Sequence, residues 1–395
     1  MEEKNNLQSE LSFHSICRWT FNSGKGGFVP SDMRKEWGGN FGTVEMIKLV
    51  SEKIKPRLPK NIILGIEMHY DNEINEESSE EITRALKENG VYLAMITPGA
   101  HTRFAYGGIS SLDSNERQLA KEFGKRTVDI AYKLKDAWHP EVIPSFVLWN
   151  GSWGYDLATP LIKEMRDLLK QSIAELCEYE KGKGGRLYFS IEPKPNEGHP
   201  KMLIPTVASA LIFWEELNKK YGTFLEKVGV NLEFGHSEMI GLDLINDIAE
   251  EISNNALMHL HLNSQGMTDS ITLGGPGMYD VDHGFKISGQ GISIARMISD
   301  TGYSRWKGHD MQPRSYDNEE QAIERVIRSI LSWEACAKAG KELDLEGMKK
   351  HFEKRDTARV EDMMGMALVK AREYFGEMYN QSLLLKNKKE DISNS

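Results

Sequence analysis

The segment VGVNLEFGHSEMIGLDLINDIAEEISNNALMHLHLN (residues 228–263) combines a short apolar run, a helical pattern and a second apolar run. We predict strands over 228–233 and 256–262, with a helix over 239–253 between them. A strand, a crossover helix and a second strand favour a parallel βαβ unit. Both strands end on polar side chains, with Glu233 and His236 at the first end and His261 at the second. The same segment therefore predicts a fold class and a functional site.

The alternation of strands and helices extends over most of the chain. The other predicted strands are 11–18, 62–69, 91–97, 144–149, 186–192 and 303–309. The other predicted helices are 43–55, 78–89, 114–136, 156–181, 205–221, 289–301 and 318–340. Eight strands, each followed by a helix, predict an α/β protein with a (β/α)8 TIM barrel over residues 10–340.

Residues 341–395 follow the last predicted barrel helix and are expected to form a C-terminal helical extension. This region contains an amphipathic stretch from Met363 to Tyr379. One interpretation is an extra helix that covers its own barrel, and the other is an arm that packs on a neighbouring subunit. Helical periodicity identifies an apolar face but not its partner, so both interpretations stay open.

Composition and charge exclude several classes of function. The 395-residue chain has a net charge of -10, which disfavours binding to phosphate backbones, so we expect no nucleic-acid partner. No apolar run reaches the length of a membrane span, and the polar N-terminus lacks the apolar core of a signal peptide. The three cysteines have no CxxC spacing. We therefore expect a cytoplasmic protein with no membrane contact.

Carboxylates and imidazoles are concentrated at the ends of four successive predicted strands, where the active-site loops of such barrels gather. The candidate metal ligands are Glu192, Glu233, His236, His261, Asp280, Asp282 and Asp310. This oxygen-rich set suits Mg²⁺, Mn²⁺ or Co²⁺ better than structural zinc. It exceeds the needs of one ion, so we predict two divalent cations. Glu192, Glu233, His261 and Asp310 would form one site, and Glu233 would bridge to a second site with His236, Asp280 and Asp282.

The motifs IEPKPNE, LEFGHSEMIGL, MHLHLNSQG, YDVD and HDMQPR resemble, in order and spacing, those of the xylose isomerase family. The resemblance spans residues 10 to 330 and is strongest from 186 to 316. It implies an aldose–ketose isomerase in which a hydride moves between C1 and C2 of an open-chain sugar. The family assembles as dimers or tetramers, which implies a homodimer or homotetramer here.

The resemblance also implies roles for individual residues. Lys194 would donate a hydrogen bond to the oxygen at C1, and Asp282 would join the catalytic residues as a ligand of the second, mobile metal. Trp149 would wall the substrate site, and His69 would assist opening of the cyclic sugar. Phe28 would match an aromatic residue that family members insert into a neighbour's active site.

Three departures from the family pattern limit this transfer. His261 stands where the xylose enzymes have an aspartate, as in L-rhamnose isomerases, so we do not assign D-xylose as the substrate. Asn72 replaces the aspartate that would pair with the ring-opening histidine, and Gln312 replaces a lysine.

The loop after the third strand contains His101 and Arg103, which are further candidates for substrate binding. One interpretation is that both are loop surface residues. The sharper hypothesis is that Arg103 binds a substrate hydroxyl or an anionic group such as a carboxylate, sulfonate or phosphate.

Three other functions remain open alongside isomerisation. A ketose epimerase could use Glu192, Glu233, His261 and Asp310 with a single metal and would not need the second ligand set. A metal-dependent phosphodiesterase or endonuclease could use a related barrel, although the net charge disfavours it. The third alternative hypothesis is a catalytically inactive sugar-binding scaffold, and the presence of Lys194 and Asp282 beside the candidate ligands weighs against it.

Overall fold

A computed structural model describes residues 11–22, 33–38, 41–149, 151, 153–154, 157–196, 201–222, 228–265 and 282–393. The predicted fold class is confirmed, because eight parallel strands close into a barrel in the order β1, β2, β3, β4, β5, β6, β7, β10. These strands are Ser12–Cys17, Ile62–Tyr70, Tyr92–Pro98, Ser145–Trp149, Tyr188–Glu192, Val228–Glu233, Leu257–His261 and Lys307–His309. Between β7 and β10, the strands β8 (Asn263–Gln265) and β9 (Asp282–Gly284) pair antiparallel outside the barrel.

The register of the barrel strands brings the predicted site residues to one level. Trp149 on β4 pairs with Glu192 on β5, and Glu233 on β6 pairs with His261 on β7. Because parallel strands run in the same direction, these residues all lie at the carboxyl end of the barrel.

Helices surround the barrel as the sequence predicts. They are α1 Arg34–Trp37, α2 Thr43–Leu49, α3 Ser79–Asn89, α4 Ser114–Lys133, α5 Ile162–Lys183, α6 Val207–Tyr221, α7 Phe234–Met239, α8 Leu244–Ser253, α9 Gly289–Asp300, α10 Glu319–Lys341, α11 Leu345–Glu353 and α12 Thr357–Ser393. Side-chain caps begin several of them. Asp113 accepts from a backbone N–H of α4, and Asn318 and Gln321 form a reciprocal capping box on α10.

The predicted helix over 239–253 is wrong at its start, because two helices occupy the region. The short helix α7 ends at Met239, and Gly241 then adopts a positive φ of 72°, which glycine tolerates best. The Asp243 side chain accepts from the Ile245 N–H and begins α8. The break keeps His236 on a separate turn directly after β6.

Helix α12 packs along α10 of its own barrel, as the first interpretation of the extension predicts. Ala367 and Ala371 are buried there, and Arg328 on α10 donates to the Tyr379 hydroxyl at 2.6 Å. Met366 and Leu384 on the same helix are exposed, so an additional contact with a neighbouring subunit stays a prediction. Among the described helices, none has the length and apolar character needed to cross a membrane.

Candidate metal centre and substrate cavity

A cavity of about 840 Å³ opens at the carboxyl end of the barrel. It is lined by several of the predicted site residues, namely His69, His101, Trp149, Glu192, Lys194, Glu233, His236, His261 and Asp310. Residues from seven barrel strands or the turns that follow them therefore share one space, which is the usual position of an active site in this architecture.

Four of the predicted metal ligands form a tight cluster at the floor of the cavity. The Nδ1 atom of His261 lies 3.1 Å from Glu233 Oε2, 3.3 Å from Glu192 Oε2 and 3.7 Å from Asp310 Oδ2. All four side chains are buried. Three carboxylates this close together in a buried place repel one another strongly unless a cation or protons lie among them.

Neighbouring side chains hold these carboxylates in place. Asn231 donates to Glu192 Oε2 at 2.6 Å, and Asn263 donates to Glu233 Oε1 at 2.9 Å. The indole N–H of Trp19 donates to Asp310 Oδ1 at 2.7 Å. In Glu233 and Asp310 the other carboxylate oxygen faces His261, whereas in Glu192 the oxygen that accepts from Asn231 is also the one nearest His261. These hydrogen bonds orient one oxygen of each acid toward His261 Nδ1.

A carboxylate that sequence reasoning missed, Glu67 on β2, lies beneath the cluster. It is fully buried and lies 2.8 Å from His261 Nε2 and 3.0 Å from His259 Nε2. The Ser15 hydroxyl donates to the same carboxylate at 2.5 Å. The β10 residue next to it is Gly308, where a Cβ atom would overlap both Glu67 and the His261 ring. One available signal was an acid within the apolar run IILGIEM, two residues before His69 and so on the same strand face.

The hydrogen bonds of the two imidazoles indicate that the cluster fits a divalent cation. His261 directs Nε2 at Glu67, so in the neutral ring the lone pair of Nδ1 faces Glu233, Glu192 and Asp310. His236 directs Nδ1 at the Pro193 carbonyl, at 2.9 Å, which leaves the lone pair of Nε2 facing Glu233 Oε1 at 3.1 Å. Lone pairs that face carboxylates are stabilised only by a proton or a metal between them, and oxygen and imidazole ligands suit Mg²⁺, Mn²⁺ or Co²⁺.

The pKa values of the clustered side chains reflect the close approach of their carboxylates. Burial, with repulsion from Glu233, raises the pKa of Glu192 to about 7, and the same two causes raise the pKa of Asp310 to about 7. Burial opposes protonation of His261, but the attraction of Glu67 and the surrounding acids outweighs it and raises the pKa of His261 well above its ordinary value. Without a metal, the cluster therefore holds protons near neutral pH.

Metal binding is expected to release those protons. Because Mn²⁺ and protons compete for the same atoms, lowering the pH from about 8 to about 6 should weaken Mn²⁺ binding by roughly tenfold or more, with affinity rising through pH 7. Calorimetry in buffers of different ionisation enthalpy should show about one proton or more released per Mn²⁺ near pH 7. A dissociation constant that is constant across this range, with no proton release, would contradict the assignment.

Glu67 is expected to tune metal affinity without touching the metal. In Glu67→Gln the amide oxygen can accept from only one of His259 and His261, and its NH₂ group faces the other ring. We expect Mn²⁺ affinity to fall by about 10- to 100-fold, the usual loss when the partner of a ligating histidine is removed. The matched control is Glu334→Gln, because Glu334 binds His14 at 2.8 Å outside this cluster. Equal affinities for the Glu67 variant and the control would refute the role of Glu67.

The second predicted metal site is described only in part. His236 on α7 lies 3.1 Å from Glu233 and 3.8 Å from Glu192, so it adjoins the first cluster as predicted. Asp280 lies outside the described residues, and for Asp282 only the backbone, in β9, is described. The predicted substrate-site residue Phe28 also lies outside them.

Lys194 and Trp149 form one wall of the cavity beside the cluster. Lys194, two residues after the end of β5, is only 4% exposed, and its Nζ lies 5.3 Å from the centre of the Trp149 ring. The His101 ring meets Trp149 edge-on, with the centroids 4.6 Å apart. This wall therefore offers a cation against an apolar surface, close to buried carboxylates.

His69 has an acidic partner that the sequence did not identify. Its Nδ1 lies 3.2 Å from Glu73 Oε2, and its ring packs on Trp19 with centroids 4.2 Å apart. Burial lowers the pKa of His69, but the attraction of Glu73 outweighs this effect and the net shift is upward. Asn72, where the family pattern has an aspartate, instead donates to Thr102 Oγ1. The loop after β2 thus supplies a carboxylate four residues after the histidine.

His101 and Arg103 differ in their surroundings. The pKa of His101 is lowered to about 3 because its ring is packed among protein atoms near His69 and Lys194, although one side of the residue stays exposed. Arg103 does not line the described cavity. Its guanidinium pairs with Asp71 and lies 5.4 Å from the Phe123 ring centre. The structure therefore places His101 where substrate can reach it and directs Arg103 elsewhere.

Comparison with known proteins gives a family match and several structural likenesses. A family model described as "Xylose isomerase-like TIM barrel" matches residues 63–333. The structure is similar to 3-keto-D-glucoside 4-epimerase from E. coli, with a TM-score of 0.54 at 13% identity, covering 81% of this chain and 99% of that one. It is also similar to D-psicose 3-epimerase from Clostridium cellulolyticum H10, with a TM-score of 0.54 at 15% identity, covering 82% and 99%. An L-ribulose 3-epimerase matches with a TM-score of 0.54 at 13% identity, covering 85% and 98%. At these identities the likenesses show the fold alone.

Proposed function

The chain belongs to the xylose isomerase-like TIM barrel family, and on that premise we propose that it is a divalent-metal-dependent aldose–ketose sugar isomerase. One observation carries the proposal. Glu192, Glu233, His261 and Asp310 converge on one point, with Lys194 and His236 beside them in the same cavity. The four converging residues would hold one metal, and His236 would serve the second predicted metal. Lys194 suits a reaction that develops negative charge on a substrate oxygen.

The four residues around His261 Nδ1 would hold a divalent cation. When bound, this cation would neutralise the buried acids and polarise the substrate oxygens. Lys194, which is a strong donor in a nearly dry place, would donate to the oxygen at C1 as charge develops there. The Trp149 and His101 rings would keep water from the carbons between which the hydride moves.

Opening of the cyclic sugar would rest on His69. Glu73 orients its ring through Nδ1 and leaves Nε2 to exchange a proton with the ring oxygen or the anomeric hydroxyl. The pair replaces the family's histidine–aspartate arrangement, with its carboxylate one position further along the chain.

The test of the proposal is a panel of aldoses, deoxyaldoses and acidic sugars incubated with the full-length protein and Mn²⁺, Co²⁺ or Mg²⁺, with ketose formation as the readout. We expect at least one sugar to be converted, with activity lost on treatment with EDTA and restored by metal. Full turnover by the EDTA-treated protein would rule the proposal out.

The second candidate is a ketose epimerase, and the structural comparisons favour it. The three similar structures named above are sugar epimerases, and Glu192 with Asp310 could act as acid and base in a single-metal site. The isotope content of the product distinguishes the two reactions. In D₂O, proton abstraction by an epimerase should place about one deuterium on the product carbon, whereas a hydride shift should place almost none.

A further inference from the structure

Arg18, in the turn that follows β1, is a buried cation on the wall of the substrate cavity. It is 6% exposed and lines the cavity together with Trp19 and Asn22. None of the predicted site residues came from the end of β1, so the proposed reaction leaves this side chain without a role.

The hydrogen-bond partners of Arg18 are neutral. Its Nε donates to Thr43 Oγ1 at 3.2 Å, and its Nη1 donates to Asn22 Oδ1 at 2.9 Å. Within the described part of the chain, Nη2 donates to no acceptor, and no carboxylate lies within 4.0 Å of the guanidinium. Glu73 and Glu45 attract it only through space. The guanidinium thus has an unused donor and, among the described residues, no carboxylate in direct contact with it.

A second buried arginine, Arg57, is paired with acidic side chains of the protein itself. Arg57, at 5% exposure, is paired with Glu320 at 2.9 Å and with Glu324 at 2.5 Å. An arginine that is buried without an acid is costly, because its charge loses water and gains no counter-ion. That cost is offset when a ligand brings the counter-ion, and the planar guanidinium matches carboxylate, sulfonate and phosphate oxygens.

We propose that Arg18 binds an anionic substituent of the substrate, so that the cavity is built for an acidic sugar and not for a neutral one. This inference rests on the proposed function, because it assigns the substrate class of the same cavity. The anion would be a carboxylate, a sulfonate or a phosphate ester on the part of the sugar remote from the metal cluster. It transfers to Arg18 the role that the sequence suggested for Arg103, whose guanidinium is already paired with Asp71.

The experiment compares each anionic sugar with the neutral sugar that differs from it only at C6, using the full-length Mn²⁺-loaded protein. The pairs are D-glucuronate with D-glucose, D-galacturonate with D-galactose and D-mannuronate with D-mannose, and each neutral sugar is also compared with its 6-phosphate and 6-sulfonate. The uronates, the 6-phosphates and the 6-sulfonates show separately whether the cavity prefers a carboxylate, a phosphate or a sulfonate. Each sugar is assayed for turnover, and its binding is measured by calorimetry.

Three variants accompany the wild type. In Arg18→Gln we expect kcat/KM and affinity for the preferred acidic sugar to fall by about 10- to 100-fold, and those for its neutral counterpart to change by less than about threefold. Arg18→Lys should recover part of the loss because it restores the charge. Arg305→Gln is the matched control, because Arg305 also donates to a neutral acceptor, the Leu257 carbonyl, but at the opposite end of the barrel.

Selective loss of acidic substrates in Arg18→Gln supports the inference, since a structural role alone would lower both classes equally. Equal losses for acidic and neutral sugars, or a wild type that binds no acidic member more tightly than its neutral partner, overturn it. If no sugar is turned over, the proposed function fails, while the calorimetric comparison still decides the role of Arg18.

Discussion

Replacing Glu233 by glutamine is expected to lower turnover by at least about 10³-fold and to remove tight Mn²⁺ binding. Glu233 occupies the centre of the cluster, with one oxygen 3.1 Å from His261 Nδ1 and the other 3.1 Å from His236 Nε2. Glu192 also lies near both imidazoles but less closely, at 3.3 Å from His261 Nδ1 and 3.8 Å from His236 Nδ1. Glutamine keeps the shape but removes the charge, and its NH₂ group would face one of the lone pairs that the metal is expected to share.

The measurement combines turnover of the sugar found in the panel with Mn²⁺ titration of the metal-free variant. The control is Glu180→Gln, because Glu180 is a buried carboxylate that accepts from Tyr132 and two backbone N–H groups outside the barrel. We expect the control to keep metal affinity and turnover. Undiminished Mn²⁺ binding in Glu233→Gln would show that the metal lies elsewhere.

Replacing Lys194 by methionine is expected to lower kcat by about 10²- to 10³-fold, the usual loss when one charged donor to a developing oxyanion is removed. Mn²⁺ affinity should change little, because Lys194 lies beside Trp149 and is not among the residues that converge on His261. The change should therefore separate chemistry from metal binding, with kcat falling more than KM rises.

The control for this variant is Lys170→Met, since Lys170 is also buried but is ion-paired with Glu216 at 2.7 Å on the outside of the barrel. If Lys194→Met retained the kcat of the control, the hydride-shift mechanism would lose its charge-stabilising residue. The ketose epimerase would then be the better account of the cavity.

The barrel could be predicted because its signal is local and repeated. Each strand is a short apolar run followed by a helical pattern, and the polar ends of four such runs identified Glu192, Glu233, His261 and Asp310 before their geometry was known. The structure brings all four together. Their spacing in the chain does not determine distances, but the equal direction of parallel strands fixes the end of the barrel at which they meet.

The residues that sequence reasoning missed depend on contacts that no local pattern encodes. Glu67 sits inside a strand, and only closure of the barrel brings it to His259 and His261. Glu73 reaches His69 through the conformation of the loop after β2. Arg18 is buried with no acid in direct contact among the described residues, and that property depends on neighbours distant in the chain such as Thr43. The break between α7 and α8 similarly depends on the positive φ of Gly241.

The central claim is that the cluster around His261 is a metal centre on which sugar conversion depends. The most direct measurement titrates EDTA-treated wild-type protein and Glu233→Gln with Mn²⁺, and records bound metal and sugar turnover in the same samples. We predict that turnover of the wild type rises in proportion to Mn²⁺ bound at a site that the variant lacks. Turnover by metal-free wild-type protein, or turnover that does not follow Mn²⁺ occupancy, would contradict the claim.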